Sequence, residues 1–192
     1  MPSRVQRAAD YLPERAYQER VKSALDRLYG EVVVQWRPFL GEGRGMYAPV
    51  VDVAVGPFAN VGTYINEYAE LLDRTRGLVE ALIHKHNENM DGLEPPGDFE
   101  VIKNSNENSR CLLCIEIEES GSRKHCLGNL VNASALGRIG ILVARNQKVM
   151  EVFKRQRAYL SFLAQVKKNS FKTENALVLT EEQFNECVAA EP

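Results

Sequence analysis

The chain has 192 residues, 44% of them hydrophobic, with 26 acidic against 24 basic residues and a net charge of −2. That length accommodates one domain with a sizeable core and one inserted subdomain, and the charge balance neither demands nor excludes a nucleic-acid partner, for which a local basic patch is enough. No run of about 18 apolar residues occurs, and Met1-Pro2-Ser3-Arg4 lacks the apolar segment of a secretory signal, so the sequence predicts a soluble, cytoplasmic protein with no membrane partner.

Residues 1–12 carry no pattern and read as a lead-in to a single domain spanning 1–192. From Pro13 to Tyr29, the residues Tyr17, Val21, Ala24, Leu25 and Leu28 recur at helical spacing, with proline at the start and Gly30 at the stop. Glu31–Trp36 is β-branched and strand-like, 38–47 reads as a glycine-bearing turn, and Val50–Val55 is a second strand closed by Gly56-Pro57, which implies a hairpin. Residues 57–110 read as a helical insertion: a helix over Tyr64–Asn87, a break at Glu94–Asp98, then a short strand over Phe99–Lys103. Cys111–Glu118 is the third core strand and Leu127–Leu136 a short helix of small residues. Ile139–Ala144 is apolar on both faces, as an interior parallel strand should be. A long amphipathic helix over Val149–Val166, a strand over Ala176–Leu179 and a helix over Glu181–Ala190, N-capped by Thr180, complete the chain. The fold class predicted is α/β, three-layered, with a mixed central sheet.

The chemistry concentrates in the third strand. Successive side chains of a strand point to opposite faces, so Leu113, Ile115 and Ile117 enter a core while Cys114, Glu116 and Glu118 share the other side. Two neighbouring carboxylates on an interior strand repel each other and call for a cation or a shared proton. Asp52 adds a third, set between Val51 and Val53 in an apolar strand where an unpaired carboxylate is costly. The competing structural reading is a solvated strand face with Asp52 capping a turn.

This element order (αβββαβ with the insertion between core strands 2 and 3), together with Pro49-Val50-Val51-Asp52 and Glu116-Ile117-Glu118, resembles the restriction-endonuclease-like superfamily of PD-(D/E)xK nucleases. The resemblance spans Pro13 to Ala144 without the insertion. It implies that Asp52 and Glu116 bind Mg²⁺ or Mn²⁺, with Glu118 standing where the superfamily usually has lysine. Restriction enzymes similar in carrying Glu-x-Glu are active, so Glu118 is expected to bind metal or act as general base, and Lys124 to swing back as the missing cation. The superfamily's further acid on the first helix finds candidates in Glu14, Glu19 and Glu31. A metal so held would activate a water and neutralise charge on a scissile phosphate. The implied activity is that of a DNA endonuclease of restriction or repair type, a homodimer where both strands are cut. The competing expectation is a nuclease-like protein that has lost catalysis and serves as a nucleic-acid-binding or assembly module.

Ser122, Arg123, Lys124 and His125 form a basic loop past the acids, suited to phosphate. Asn129, Asn132 and Ser134 read as packing residues. The Cys111-x-x-Cys114 spacing, with Cys126 following, suggests zinc on a turn but buried thiols on a strand, and the four cysteines as a whole suit a reducing compartment. His84 and His86 read as surface residues, and the apolar stripe of the inserted helix as a face for self-association. Lys148, Lys154, Arg155, Arg157, Lys167 and Lys168 make the late helix basic, but the sequence reveals no platform of aromatics for stacking bases.

Overall fold

The computed structural model describes residues 12–38, 49–59 and 62–190. The expected lead-in over 1–12 and turn over 38–47 lie, apart from Leu12 and Pro38, outside the described residues. Helix α1 (Glu14–Tyr29) buries Tyr17, Val21 and Leu25 along one side and stops at Gly30, whose φ of 75° only glycine adopts freely and whose N–H returns to Asp26 O. Strands β1 (Val32–Trp36) and β2 (Val51–Val55) form the expected antiparallel hairpin.

The expected single inserted helix is two, α2 (Ile65–Arg74) and α3 (Arg76–Met90), hinged at Thr75, whose hydroxyl bonds back to Leu71 O. Phe99–Lys103 is a short helix, α4, and not the strand predicted from its apolar residues. The reason is local: the Asp98 carboxylate accepts the N–H groups of Glu100 and Val101 and so starts a helical turn. After β3 (Cys111–Glu118) comes α5 (Arg123–Leu136), which begins one turn earlier than expected and takes up most of the basic loop. Strand β4 (Gly137–Ala144), α6 (Gln147–Gln165), β5 (Ala176–Thr180) and α7 (Glu181–Ala189) follow, α7 starting on a Thr180–Gln183 capping box.

The strands lie in chain order in one five-stranded mixed sheet, β1, β2 and β3 antiparallel and β3, β4 and β5 parallel. Each face carries its own core. On one, Ile115, Ile117, Ile139 and Ile141 meet Tyr17 and Leu25 of α1, Leu78 and Leu82 of α3, and Phe184 of α7. On the other, Cys114, Leu142 and Val178 meet Cys126, Leu130 and Ala133 of α5 and Phe153 of α6. The protein is therefore three layers, helices on both faces of a sheet. Small residues in α5 have a purpose: a Cβ on Gly140 would come within 2.7 Å of the Ala133 backbone, so helix and strand touch backbone to backbone. Along β3 the alternation skips a step, since Leu112 and Leu113 share the first core while Cys111 and Cys114 share the second. From Leu113 onward it runs as the sequence predicts.

The apolar stripe of the inserted helix is not free for self-association. Leu78, Val79, Leu82 and Ile83 are buried in the first core, against β5 and α7. His86, expected at the surface, sits in this layer, and its Nδ1 accepts the Val178 N–H at 3.0 Å, while His84 stays outside beside Glu88. Arg157, expected on a basic outer face, is also buried, bridging Glu94 and Ala176 O.

Burial, and then the Arg157 charge, push the His86 imidazole down to about 3. His86→Ala should destabilise at pH 7 by about 2–4 kcal/mol, from lost packing and an unpaired Val178 N–H. Below about pH 6.5 the unfolded wild type binds a proton that the folded state refuses, so wild-type stability falls with pH and the gap to the variant narrows. Denaturant titrations at pH 7 and 4.5 check both.

Candidate functional site

The site grows from the place where β2 and β3 part. Their ladder pairs Val55 with Leu113, Ala54 with Cys114 and Val53 with Ile115. One residue further, the Asp52 side chain replaces a backbone carbonyl: its Oδ2 accepts the Ile117 N–H at 2.7 Å. Its Oδ1 accepts Gln18 Nε2 of α1 at 2.9 Å and Gln35 Nε2 of β1 at 3.2 Å. Gln35 has φ 55°, the left-handed region, and makes no ladder pair with β2 although Val34 and Trp36 on either side do. Such a conformation in a non-glycine residue costs on the order of 1 kcal/mol, and here it aims the side chain at a carboxylate.

Glu116, 2% exposed, points into the second face, where Asn132 Nδ2 of α5 donates to its Oε1 at 3.3 Å. Glu118, 7% exposed, is held by the turn after its own strand: Oε1 accepts Ser120 N at 2.7 Å, Ser120 Oγ at 2.6 Å and Glu119 N at 3.1 Å. Asn129 Nδ2 reaches its Oε2 at 3.4 Å. Asp52, Glu116 and Glu118 all line one cleft of about 550 Å³, with Glu14, Ser120, His125 and Asn129 also on its walls.

The electrostatics follow from this crowding. Burial above all, with the charges of Glu14 and Glu118, raises Asp52 to about 6, against the lowering pull of the Ile117 N–H and Gln35. Glu116 is pushed well above the ordinary carboxylate range, first by burial and then by the charge of Asp52, with the Asn132 amide and the Asp52 N–H opposing. A half-buried and a buried carboxylate on adjacent strands thus carry a cost of ionisation that a divalent cation or a proton would relieve.

Of the residues singled out in the sequence, the fold brings Asp52, Glu116, Glu118, Glu14 and His125 to one cleft. It leaves others elsewhere. Glu19 is exposed and pairs with Arg15. Glu31 lies at the far end of the hairpin, its carboxylate against Gly56. Lys124 is exposed on the first turn of α5 and is not among the lining residues, and Arg123 faces the opposite side of the turn over 119–122. Ser122 begins α5 without a side-chain capping bond. No Lys or Arg lines the cleft among the described residues. Asn129 and Asn132, read as packing residues, instead bond to two of the acids. Gln18 and Gln35 carry no sequence signal, whereas the Asn129-x-x-Asn132 spacing on the helix after the acidic strand was a visible one.

Among the described residues, no group of three or more His, Cys, Asp or Glu side chains is arranged to hold a metal ion. Glu118 Oε1 is taken up by its turn and both Asp52 oxygens by Gln18, Gln35 and the Ile117 N–H, and Asp52 and Glu116 are the two acids that come from adjacent strands. In chemistry and number that pair fits a hard cation of the Mg²⁺ type, which takes one or two carboxylates and keeps several waters. The four cysteines are buried and free, in accord with thiols on strands and helices, and Cys111 lies within hydrogen-bond reach of Cys114. No described helix is long and apolar enough to cross a membrane. Comparison with protein-family models, with curated proteins and with solved structures returns no match to this chain.

Because burial holds Asp52 near 6 in the fold against about 4 when unfolded, its ionisation destabilises the protein progressively from pH 4 upward, by on the order of 3 kcal/mol above pH 6, and the penalty vanishes below pH 4. Asp52→Asn, without divalent cations, turns an amide N–H toward one of the three donors Gln18, Gln35 and Ile117 N–H and should lower Tm, least at pH 8, where the wild type bears the ionisation penalty, and most below pH 4. Melting curves across that range give the answer.

Proposed function

We propose that the protein is a Mg²⁺- or Mn²⁺-dependent endonuclease acting on DNA, of restriction or repair type, similar to the PD-(D/E)xK nucleases. The observation that carries this reading is the pair of carboxylates, half-buried Asp52 and buried Glu116, contributed by adjacent strands where those strands part and lining one open cleft. The element order supports it: a helix, three antiparallel strands, a helix and a parallel fourth strand match the core that the resemblance implies.

On this reading Asp52 and Glu116 hold the cation, and Gln18, Gln35 and Asn132 fix the two carboxylates before it arrives. The cation, when bound, polarises a phosphate oxygen and lowers the pKa of a water. Glu118, where the superfamily has lysine, would take the proton of the attacking water on Oε2, the oxygen its turn leaves open, while the P–O bond to the departing sugar oxygen breaks and that oxygen is protonated from solvent in the cleft. Glu14, joined to Asp52 through Gln18, completes the acidic lining. His125 and the free amides of the first turn of α5 face the substrate phosphate, replacing the lysine that Lys124 does not provide from its exposed place.

A second reading has its own observation. Both Asp52 oxygens and Glu118 Oε1 already accept N–H or O–H groups, which a catalytically inactive, nucleic-acid-binding or assembly module needs no metal to explain. The two readings separate in solution. The nuclease should bind Mn²⁺ by calorimetry, lose that binding in Glu116→Gln, and cleave plasmid DNA at least about a hundredfold faster than Asp52→Ala, roughly 3 kcal/mol of barrier. Equal cleavage by wild type and Asp52→Ala, or no heat with Mn²⁺, leaves the inactive module.

A further inference from the structure

Across the turn over 119–122 from the acidic cleft lies a second concavity of about 460 Å³, between the start of α5 and the outer face of α6. Gly121, Arg123, Lys148, Arg155 and Tyr159 line it. Arg123 and Arg155 are exposed, and neither makes an ion pair among the described residues. The acid in its wall, Glu151, is already engaged by Gln147 and Lys154. Tyr159 and Phe162 are 59% and 55% exposed and lie three residues apart, hence side by side on the outer face of α6. Exposed aromatics among unpaired cations are the two ingredients of a single-strand binding surface: cations for phosphates, rings for bases.

The groove and the cleft share a wall. Gly121, with φ 66°, leaves room for the Lys148 stem, whose Cε would stand 3.1 Å from a Cβ there. Lys148 Nζ donates to Ser120 O at 3.2 Å, and Ser120 in turn holds Glu118 through its N–H and hydroxyl. A chain running along the groove therefore passes over the turn into the acids.

We propose that this groove binds an unpaired nucleic-acid strand continuous with the strand in the cleft, with Arg123, Lys148 and Arg155 on its phosphates and Tyr159 and Phe162 stacked on its bases. The preferred substrate is then single-stranded on one side of the scissile bond. The choice of a nucleic acid over another polyanion rests on the nuclease reading of the cleft. The alternative occupant of an exposed aromatic helix face is a second copy of this chain.

The experiment measures fluorescence anisotropy of a labelled single-stranded oligonucleotide of about 16 nucleotides, and of its duplex, in EDTA so that binding is read without turnover. Expected is tighter binding of the single strand. Tyr159→Ala and Arg155→Glu should each weaken it about tenfold, and Tyr159→Trp should restore it. Equal affinity for the duplex, or binding indifferent to Tyr159→Ala and Arg155→Glu, overturns the proposal. So does a wild-type dimer that Tyr159→Ala with Phe162→Ala turns into a monomer without changing oligonucleotide binding, which assigns the face to self-association. Intact single-strand binding without metal-dependent cleavage would sink the reading of the cleft alone, and cleavage of duplex without single-strand preference would sink the groove alone.

Discussion

The structure turns on one substitution of side chain for backbone: the Asp52 carboxylate takes the Ile117 N–H that the ladder between β2 and β3 no longer serves. An unpaired backbone N–H inside a sheet costs as much as a lost hydrogen bond, so two strands can separate here only if something else accepts it. Asp52 does so, and the gap it permits is the mouth of the cleft. The same carboxylate also gathers α1 through Gln18 and the edge strand through Gln35. Three elements are thus registered against one pair of oxygens.

That arrangement concentrates acidic groups at the buried floor of an open cleft. Glu116 lies on the neighbouring strand, where the charge of Asp52 raises the cost of ionising it, as Glu14 and Glu118 do for Asp52. A fold selected only for stability would place an amide or an apolar side chain at such a position. The neighbours instead supply donors one by one: Ile117 N–H, two glutamines, two asparagines and the Ser120 turn. These bonds orient the acids but leave the repulsion between Asp52 and Glu116 in place, the condition under which a cation binds well.

The turn after β3 connects the parts. Glu119 is fastened from behind by Arg145 at 3.4 Å and by Asn146 Nδ2, which donates to its carbonyl at 2.8 Å. Ser120 holds Glu118 on the cleft side, and Lys148 caps the Ser120 carbonyl from the groove side. A residue on α6 therefore reaches the acids through one serine. Helix α5 completes the frame, because its small residues let it lie against β4 closely enough for Asn129 and Asn132 to meet the acids of β3.

Local chemistry was legible in the sequence wherever one residue decides it. Gly30 ends α1, Thr180 starts α7, and the alternation from Leu113 to Glu118 sorts hydrophobic from acidic side chains, because these depend on backbone preference and on the two-residue period of a strand. So was the grouping of Asp52 with Glu116 and Glu118, since acids in apolar strands are rare enough to stand out. What the sequence could not supply were partners chosen by distance through space. Gln18 and Gln35 are ordinary polar residues until α1 and β1 bring them to Asp52, and His86 and Arg157 look exposed until β5 packs against them. Residue type and spacing set the elements and the acids. Only the packing of helices on a sheet decided which acids face one cleft, which amides hold them, and that the cation expected at Lys124 stands outside it.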